Sequence, residues 1–286
     1  MKKRVVYLKI DDRTYGSKDG SSPFNISFNV SYFGNTLVPV AGRFVIDNLD
    51  KDHIEYITTN TSLFQERRRK IEFYCGYSDN VQKIFDGVIE KAQPSGQPDT
   101  SVTIDAWTSL YSMGESAKIE ASNTTLAQLL DNAISKCGLS LNMPAKIRQS
   151  QVLQQTIKNF SFTGSAYAYL CRVIQDITGC DVVSNQIVFT VEKGMVSASY
   201  IDEKKAPVIE VNANRGLIGI PEPNAAGIDL RVLLDVSLHG GQTINLKSKI
   251  VPLYDGLYNI YSVTHFGSSR GKEFYTDLSC TRVYKE

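Results

Sequence analysis

The sequence predicts an α+β protein, mainly β, and three observations carry that class. Phe24 to Phe33, "FNISFNVSYF", alternates strictly: Phe24, Ile26, Phe28, Val30 and Tyr32 point one way, Asn25, Ser27, Asn29 and Ser31 the other. A period of two is a strand with one buried and one wet face. "SNTTLAQLLDNAISKCG" (Ser122 to Gly138) instead sets Leu126, Leu129, Leu130, Ala133, Ile134 and Cys137 on one helical face. After Pro207 the β pattern returns, so helix-bearing sequence lies between two β segments.

In the first segment "GRFVIDNL" (Gly42 to Leu49), "KIEFYCGY" (Lys70 to Tyr77), "QKIFDGVIEKA" (Gln82 to Ala92) and "TSVTIDAWTSL" (Thr100 to Leu110) read as strands, with "QPSGQPD" between the last two a loop by its Pro and Gly content. The Thr-rich stretch from Asp50 to Lys70 is a long excursion, partly helical at most. In the middle, Asn123 or a neighbouring Thr caps the first helix and Gly138 stops it. "TGSAYAYLCRVIQDITG" gives a second helix with Ala166, Leu170, Val173, Ile174 and Ile177 on one face, Ser165 near the cap and Gly179 at the stop. "CDVVS" and "QIVFTV" read as short strands joined by a turn at Ser184 to Gln186. The last segment holds two short strands and a Pro-bounded turn in "PVIEVNANRGLIGIPEP". Alternating runs follow in "AGIDLRVLLDVSL" and "HGGQTINLKSKI". A hairpin closes the segment, its strands (Leu257 to Phe266, Phe274 to Val283) flanking "GSSRGKE". "IFDGVIEKA", a loop and "TSVTIDAWT" repeat this strand–loop–strand plan, which points to two related β units flanking an α/β insertion.

The 286 residues suit one large domain or two to three small ones. Lys plus Arg is 31 and Asp plus Glu is 30, a balance without the electrostatic footprint of a strong nucleic-acid binder. The basic start is too short and interrupted in its apolar run for a signal peptide, and no stretch reaches the ~18 apolar residues of a membrane span. Cys75, Cys137, Cys171, Cys180 and Cys280 form no CxxC pair and read as free thiols of a reducing compartment, with a Cys171–Cys180 disulfide the minor alternative.

His265 is the foremost catalytic candidate, with Asp277 across the hairpin as orienting carboxylate. No GxSxG elbow exists, however, and Ser268 and Ser269 sit at a loop tip expected to be mobile, so a locally hydrogen-bonded hairpin histidine is the favoured reading. His53, His239 and His265 are isolated and lack metal-ligand spacing. Glu72, Glu90, Glu222 and Asp229 offer no evident glycosidase pair. "RRRK" (Arg67 to Lys70) reads as a solvated loop. Catalytic, cofactor and metal residues are therefore assigned to none.

The last 80 or so residues, "GLIGIPEPNAAGIDLRVLLDVSLHGGQTINLKS" followed by "DGLYNIYSVTHFGSSRGKEFYTDLSC", resemble the hub proteins of contractile phage-tail baseplates, the late control protein D-like group. Gly256, Tyr258, Val263, His265, Gly267, Gly271, Phe274 and Thr276 match that group's hairpin pattern, and Ser268 stands where Asp is usual. "IEFYCGY…IFDGVI" resembles the tail-tube type of β domain. The resemblance implies two tube-like β-barrel domains with a small α/β domain inserted between them: residues 1–112 and 207–286 as barrels, 113–206 as the insertion. It further implies a structural virion protein without enzymatic activity or cofactor, a homotrimeric ring that joins a hexameric tail tube to a trimeric central spike. Implied partners are the tail tube protein, the central spike protein, other baseplate proteins and the tape measure protein. The resemblance also implies DNA only as passing cargo, no membrane insertion, and a location in the tail baseplate of a virion assembled in the host cytoplasm. The rival expectation is a peptidoglycan hydrolase, or a wall- or carbohydrate-binding module, of a tail machine.

Overall fold

The computed structural model describes residues 3–33, 40–59, 68–96, 100–108, 116–179, 187–192, 195–201, 203–205 and 207–284. Eighteen strands against four α-helices among these residues make the chain mainly β.

The first β segment contributes β1 (Arg4–Ile10), β2 (Arg13–Gly16), β3 (Asn25–Phe33), β4 (Ala41–Asp47), α1 (Lys51–Thr58), β5 (Lys70–Tyr77), β6 (Asn80–Ser95) and β7 (Ser101–Thr108). They pair in the order β2-β1-β5-β6-β7-β4-β3. The alternation read from β3 decides its faces: Ile26, Phe28 and Val30 are buried and Asn29 is exposed. They join Phe44, Ile46, Ile71, Phe73, Val102 and Ile104 in one core, where the Phe44 and Phe73 rings lie 4.8 Å apart. Each such side chain is worth roughly 1.5–3 kcal/mol of burial. The excursion after Asp50 begins as α1, its first turn capped by the Asp50 carboxylate, which accepts from the His53 N–H at 2.9 Å. Residues 60–67 of that excursion lie outside the described residues.

The last segment contributes β13 (Val208–Asn212), β14 (Leu217–Pro223), β15 (Gly227–Leu233), β16 (Thr243–Lys247), β17 (Gly256–Ser268) and β18 (Phe274–Arg282). These pair as β13-β16-β17-β18-β15-β14. The first segment, taken from β1, pairs as β1-β5-β6-β7-β4-β3, so both segments use the same pairing plan in the same chain order. The registers agree too. β4 meets β7 from Ala41↔Trp107 to Asp47↔Ser101, and β15 meets β18 from Gly227↔Thr281 to Leu233↔Tyr275. The ladder of β6 on β7 slips by one residue between Ile89 and Lys91, and that of β17 on β18 slips at the counterpart, between Ile260 and Ser262. The units differ in that β1 is antiparallel to β5 whereas β13 is parallel to β16.

The two units share one sheet of thirteen strands. β17 is long enough to serve both: Gly256–Asn259 pairs with β16, and Ser262–Ser268 pairs antiparallel with β3, from Ser262↔Phe33 to Ser268↔Ser27. Leu234, Val236 and Phe274 of the second unit complete the core of the first. No strand closes this sheet into a ring among the described residues, its path ending at β14 and β2.

Between the units, β8 (Ser116–Thr125) leads into α2 (Leu126–Lys136), and β10 (Thr156–Ser165) into α4 (Ala166–Thr178); β9 (Ser140–Asn142) and α3 (Ala145–Arg148) lie between, and β11 (Ile187–Glu192) and β12 (Met195–Tyr200) follow. β8 and β10 form an antiparallel ribbon from Thr125↔Thr156 to Ser116↔Ser165. Residues forty apart are therefore equivalent. Thr125 and Ser165 cap the two helices, and the buried pairs Leu126/Ala166, Leu129/Tyr169, Leu130/Leu170, Ala133/Val173 and Ile134/Ile174 fill a core separate from the other two. The Tyr169 hydroxyl donates to the carbonyl of its counterpart Leu129 at 3.2 Å. Gly138 takes the left-handed φ of +64° that ends α2.

Four expectations are corrected or bounded here. Of the two caps expected for α2, Asn123 or a neighbouring Thr, it is Thr125 that caps the helix, because Ser122 to Thr125 still belong to the ribbon. The loop expected from Gln93 begins later, since Gln93, Pro94 and Ser95 pair with β7. The Pro-bounded turn is strand through Pro223, followed by a tight turn closed by Asn224 and Gly227. "CDVVS" and its turn, residues 180–186, lie outside the described residues.

Candidate functional site

The hairpin of β17 and β18 holds the foremost candidate residues and separates them. His265 faces Thr276, and its Nδ1 lies 2.9 Å from the Thr276 hydroxyl. The ring is buried, edge-on to Tyr32 at 5.9 Å. Burial pushes its pKa down to about 4, against opposing help from Asp235 and from a hydrogen bond to the Leu238 backbone. Asp277 is not its partner: it lies one residue on, opposite Thr264, and forms a two-pronged ion pair with Arg231 at 2.6 and 2.8 Å. Period-two geometry is the reason, because adjacent strand residues face opposite sides.

Ser268 and Ser269 are not at a free tip. Their hydroxyls donate to Asn25 Oδ1 at 2.8 and 3.2 Å, and the Ser269 hydroxyl also accepts from the Ile26 N–H at 3.0 Å. Arg270 donates to the Ser22 and Pro23 carbonyls at 2.6 and 3.1 Å. From the other side Arg4 donates to the carbonyls of Ser268, Gly271 and Lys272 and lies 4.8 Å from the centre of the Phe274 ring. The loop is a clasp between the two β units.

The remaining candidates are dispersed. His53 packs against Tyr15 and Phe24, and His239 contacts Gln242. No group of three or more His, Cys, Asp or Glu side chains is placed to hold a metal among the described residues. Glu72 meets Lys9 and Lys83, and Glu90 accepts from the Trp107 indole N–H. Glu222 and Asp229 are cross-strand neighbours at the sheet's edge, Asp229 accepting from Asn224. Within "RRRK", Arg69 ion-pairs with Asp11 at 2.8 Å, and Arg67 lies outside the described residues. Cys75, Cys137 and Cys280 are buried, Cys171 is half-buried, and none of the four is in a disulfide; Cys180 is outside the described residues.

What the fold does assemble is a continuous polar face across the junction. Asn29 and Ser31 of β3 continue through Arg43 of β4 to Asp105 of β7 on one side, and through Thr264 of β17 and Asp277 of β18 to Arg231 of β15 on the other. Its charges come in cross-strand pairs, Arg43 with Asp105 at 3.0 Å and Arg231 with Asp277. Ser31 and Thr264 meet hydroxyl to hydroxyl at 3.1 Å across the seam. Sequence reading found the Asn and Ser stripe of β3; its continuation depends on which strands become neighbours. A buried network fixes the exit from the middle segment: Asn259 donates to the carbonyls of Ile201 and Glu203 at 2.7 and 2.9 Å and accepts from Thr243 at 2.6 Å.

This architecture is that of tail-machine proteins. The chain aligns over 98% of its length with 97% of the 43 kDa tail protein of prophage MuSo2 from Shewanella oneidensis, at 10% identity and a TM-score of 0.61. It aligns over 97% with 96% of a tail protein from Neisseria meningitidis MC58, at 8% identity and 0.60. The E. coli c3393 protein, a type VI secretion component described as similar to the T4 tail proteins gp27 and gp5, aligns with 98% of this chain over 77% of its own, at 11% identity and 0.63. Such low identities speak for fold. The profile of the family Baseplate hub gp41 matches residues 5–280, so the chain belongs to that family. No curated protein matches the chain.

Proposed function

We propose that the chain is the structural hub of a tail baseplate, a homotrimeric ring joining a sixfold tail tube to a threefold central spike. The single observation that carries this is the repeated strand plan, with the same ladder slip in each unit. One chain then supplies two quasi-equivalent units, and three chains supply six. A ring of that kind presents six like faces to a hexameric tube while keeping threefold symmetry for a spike. Residues 1–112 and 207–286 are the two tube-like domains, and neighbouring chains close their open sheet as a barrel; residues 113–206 are the inserted domain, available to other baseplate proteins or the tape measure protein. The polar face lines the lumen. Paired charges suit that role, since an unpaired basic lining would hold passing DNA by its phosphates. Assembly takes place in the host cytoplasm, and the role needs no catalysis.

Electron microscopy and mass photometry of the chain co-expressed with its tube and spike partners test the proposal. Threefold rings seated between tube and spike are expected. A chain that stays monomeric beside both partners overturns it.

A further inference from the structure

The repeat makes a specific demand on the ring. Inside one chain the two units meet where β3 of the first lies on the C-terminal half of β17 of the second. The counterparts of those strands are β14 and the C-terminal half of β6, and both present open edges. Among the described residues, β14 pairs only with β15, and β6 beyond Ile89 pairs only with β7. Lys91, Gln93, Pro94 and Ser95 are exposed, as are Glu222 and Pro223. From these two edges we infer that the contact between protomers is Glu222 and Pro223 of β14 of one chain laid antiparallel on Ser95 and Pro94 of β6 of the next, in the register of the internal junction. This rests on the ring reading above and deepens it by naming the surface.

The register follows from the ladders. Val30 lies opposite His265, Asn29 opposite Phe266. Ladder by ladder, Val30 corresponds to Pro223 and Asn29 to Glu222: Val30 and Asn29 face Gly42 and Arg43, whose counterparts Ile228 and Asp229 face Pro223 and Glu222. Counted from the shared slip, His265 corresponds to Pro94 and Phe266 to Ser95. Pro94 thus meets Pro223, and Ser95 meets Glu222, across the protomer boundary. Beyond Glu222 the correspondence ends, because the β14 register shifts between Ile218 and Glu222.

The prolines sit at the positions that matter. Asn224 and Gly227 exchange backbone hydrogen bonds at 3.0 and 3.3 Å, so Pro223, one residue back, turns its backbone towards the open edge. In β17, Ser268 bonds Glu273 of the hairpin, so His265, three residues back, turns its backbone towards β3, and its counterpart Pro94 turns to the open edge of β6. Each edge therefore lacks an N–H at its central outward position. Such an edge is a poor template for a stray strand. A partner is held instead by side-chain fit around the Pro94–Pro223 pair, which a second copy in this one register supplies. The protomer boundary is the weaker of the two junctions, so rings form from intact chains rather than by exchange of strands.

Cysteine cross-linking in the assembled complex tests the register. Ser95→Cys with Glu222→Cys in one chain places the two thiols at a boundary pair within the ~4.4–6.8 Å Cα separation a disulfide needs. Lys91→Cys with Glu222→Cys is displaced by four residues, roughly 13 Å along the strand. The first pair is expected to oxidise to a closed covalent ring on non-reducing gels, at least about tenfold more than the second or either single variant, by that difference in reach. Threefold rings seen by microscopy without the Ser95–Glu222 cross-link, or with the displaced pair linking equally, overturn this contact and leave the hub reading standing. Chains that remain monomeric beside tube and spike overturn both.

Discussion

The two β units follow one plan and solve their edges differently. In the second unit, His265 at the seam is a full strand residue with an N–H, opposite Val30. In the first, the same place is Pro94. The second unit also carries the clasp of Ser268 to Lys272, gripped by Arg4 and Asn25. The counterpart loop, residues 97–99, lies outside the described residues. A repeated fold thus becomes a directional building block. One edge pair is sealed within the chain by backbone ladder, buried aromatics and side-chain bonds, and the other is left open but guarded.

The cores sharpen this comparison most. Phe44 and Leu230 occupy equivalent places in β4 and β15 and are both buried. Phe44 packs on Phe73 and Phe85, at 4.8 and 5.4 Å between ring centres. Phe44→Ala is expected to cost about 3–5 kcal/mol and Leu230→Ala about 2–5, as large-to-small core changes do. Because one sheet and one core span the seam, urea denaturation should show a single transition shifted by either change. Two transitions, one shifted only by Phe44→Ala and the other only by Leu230→Ala, would mean that the units fold apart and that the seam is not cooperative.

The next effect belongs to the second unit alone, since Pro94 cannot titrate. Unfolded, His265 titrates near its ordinary 6.5; folded, its burial holds it near about 4, with Asp235 and His239 the charged groups acting on it. Between those values the unfolded chain binds a proton that the folded chain does not. The contribution is complete above pH 6.5 and falls as pH drops towards 4, by about 2–3 kcal/mol at pH 4.5. His265→Gln should flatten that part of the stability-versus-pH curve, measured by urea midpoints from pH 7 to 4.5. An unchanged slope would show that the ring is solvated or its charged form partnered.

Much of this was legible from period and punctuation. Strict alternation located β3, and the 3.6-residue period located α2 and α4, because each has one strongly apolar face. The β8–β10 ribbon was not legible: a two-stranded element with half-covered residues such as Ile119, Phe160 and Phe162 among Lys, Asn and Ser has too weak an alternation. A comparison at a shift of forty residues would have found it through its matching helices. The repeat of the β units is legible in their shared strand–loop–strand order and not in the letters, since the ladders make Asp105 equivalent to Ser279, two residues from Asp277. Plan recurred where letters did not. The clasp and the polar face join residues more than two hundred positions apart, and no local pattern encodes such a meeting.

The clasp gives a smaller effect. Arg4→Ala removes hydrogen bonds to three carbonyls and the Phe274 ring contact, but the site is largely exposed. A cost of about 1 kcal/mol is expected, the low end for charged hydrogen bonds after solvent screening. Amide exchange should quicken at residues 268–273 and leave β4 and β7 unchanged. Uniform quickening across the sheet would make Arg4 a general stabiliser rather than a seam residue.

The smallest expected difference lies in the middle segment, where an internal repeat again differs in one local device. Thr125 and Ser165 occupy equivalent caps. Thr125 accepts from the Gln128 N–H, and the Gln128 side chain returns to accept from the Thr125 N–H, whereas Ser165 only accepts from the Ala168 N–H at 3.2 Å. The counterpart of Gln128 is Ala168, which cannot reciprocate. Losing a cap costs roughly 0.5–2 kcal/mol, and a capping box satisfies one more orphan donor than a single bond. Thr125→Ala should therefore destabilise the middle segment by about 0.5 kcal/mol more than Ser165→Ala. Gln128→Ala should erase that difference, because it turns the first cap into the second. Equal costs before Gln128 is changed would mean that the ribbon, not the cap, fixes where each helix starts.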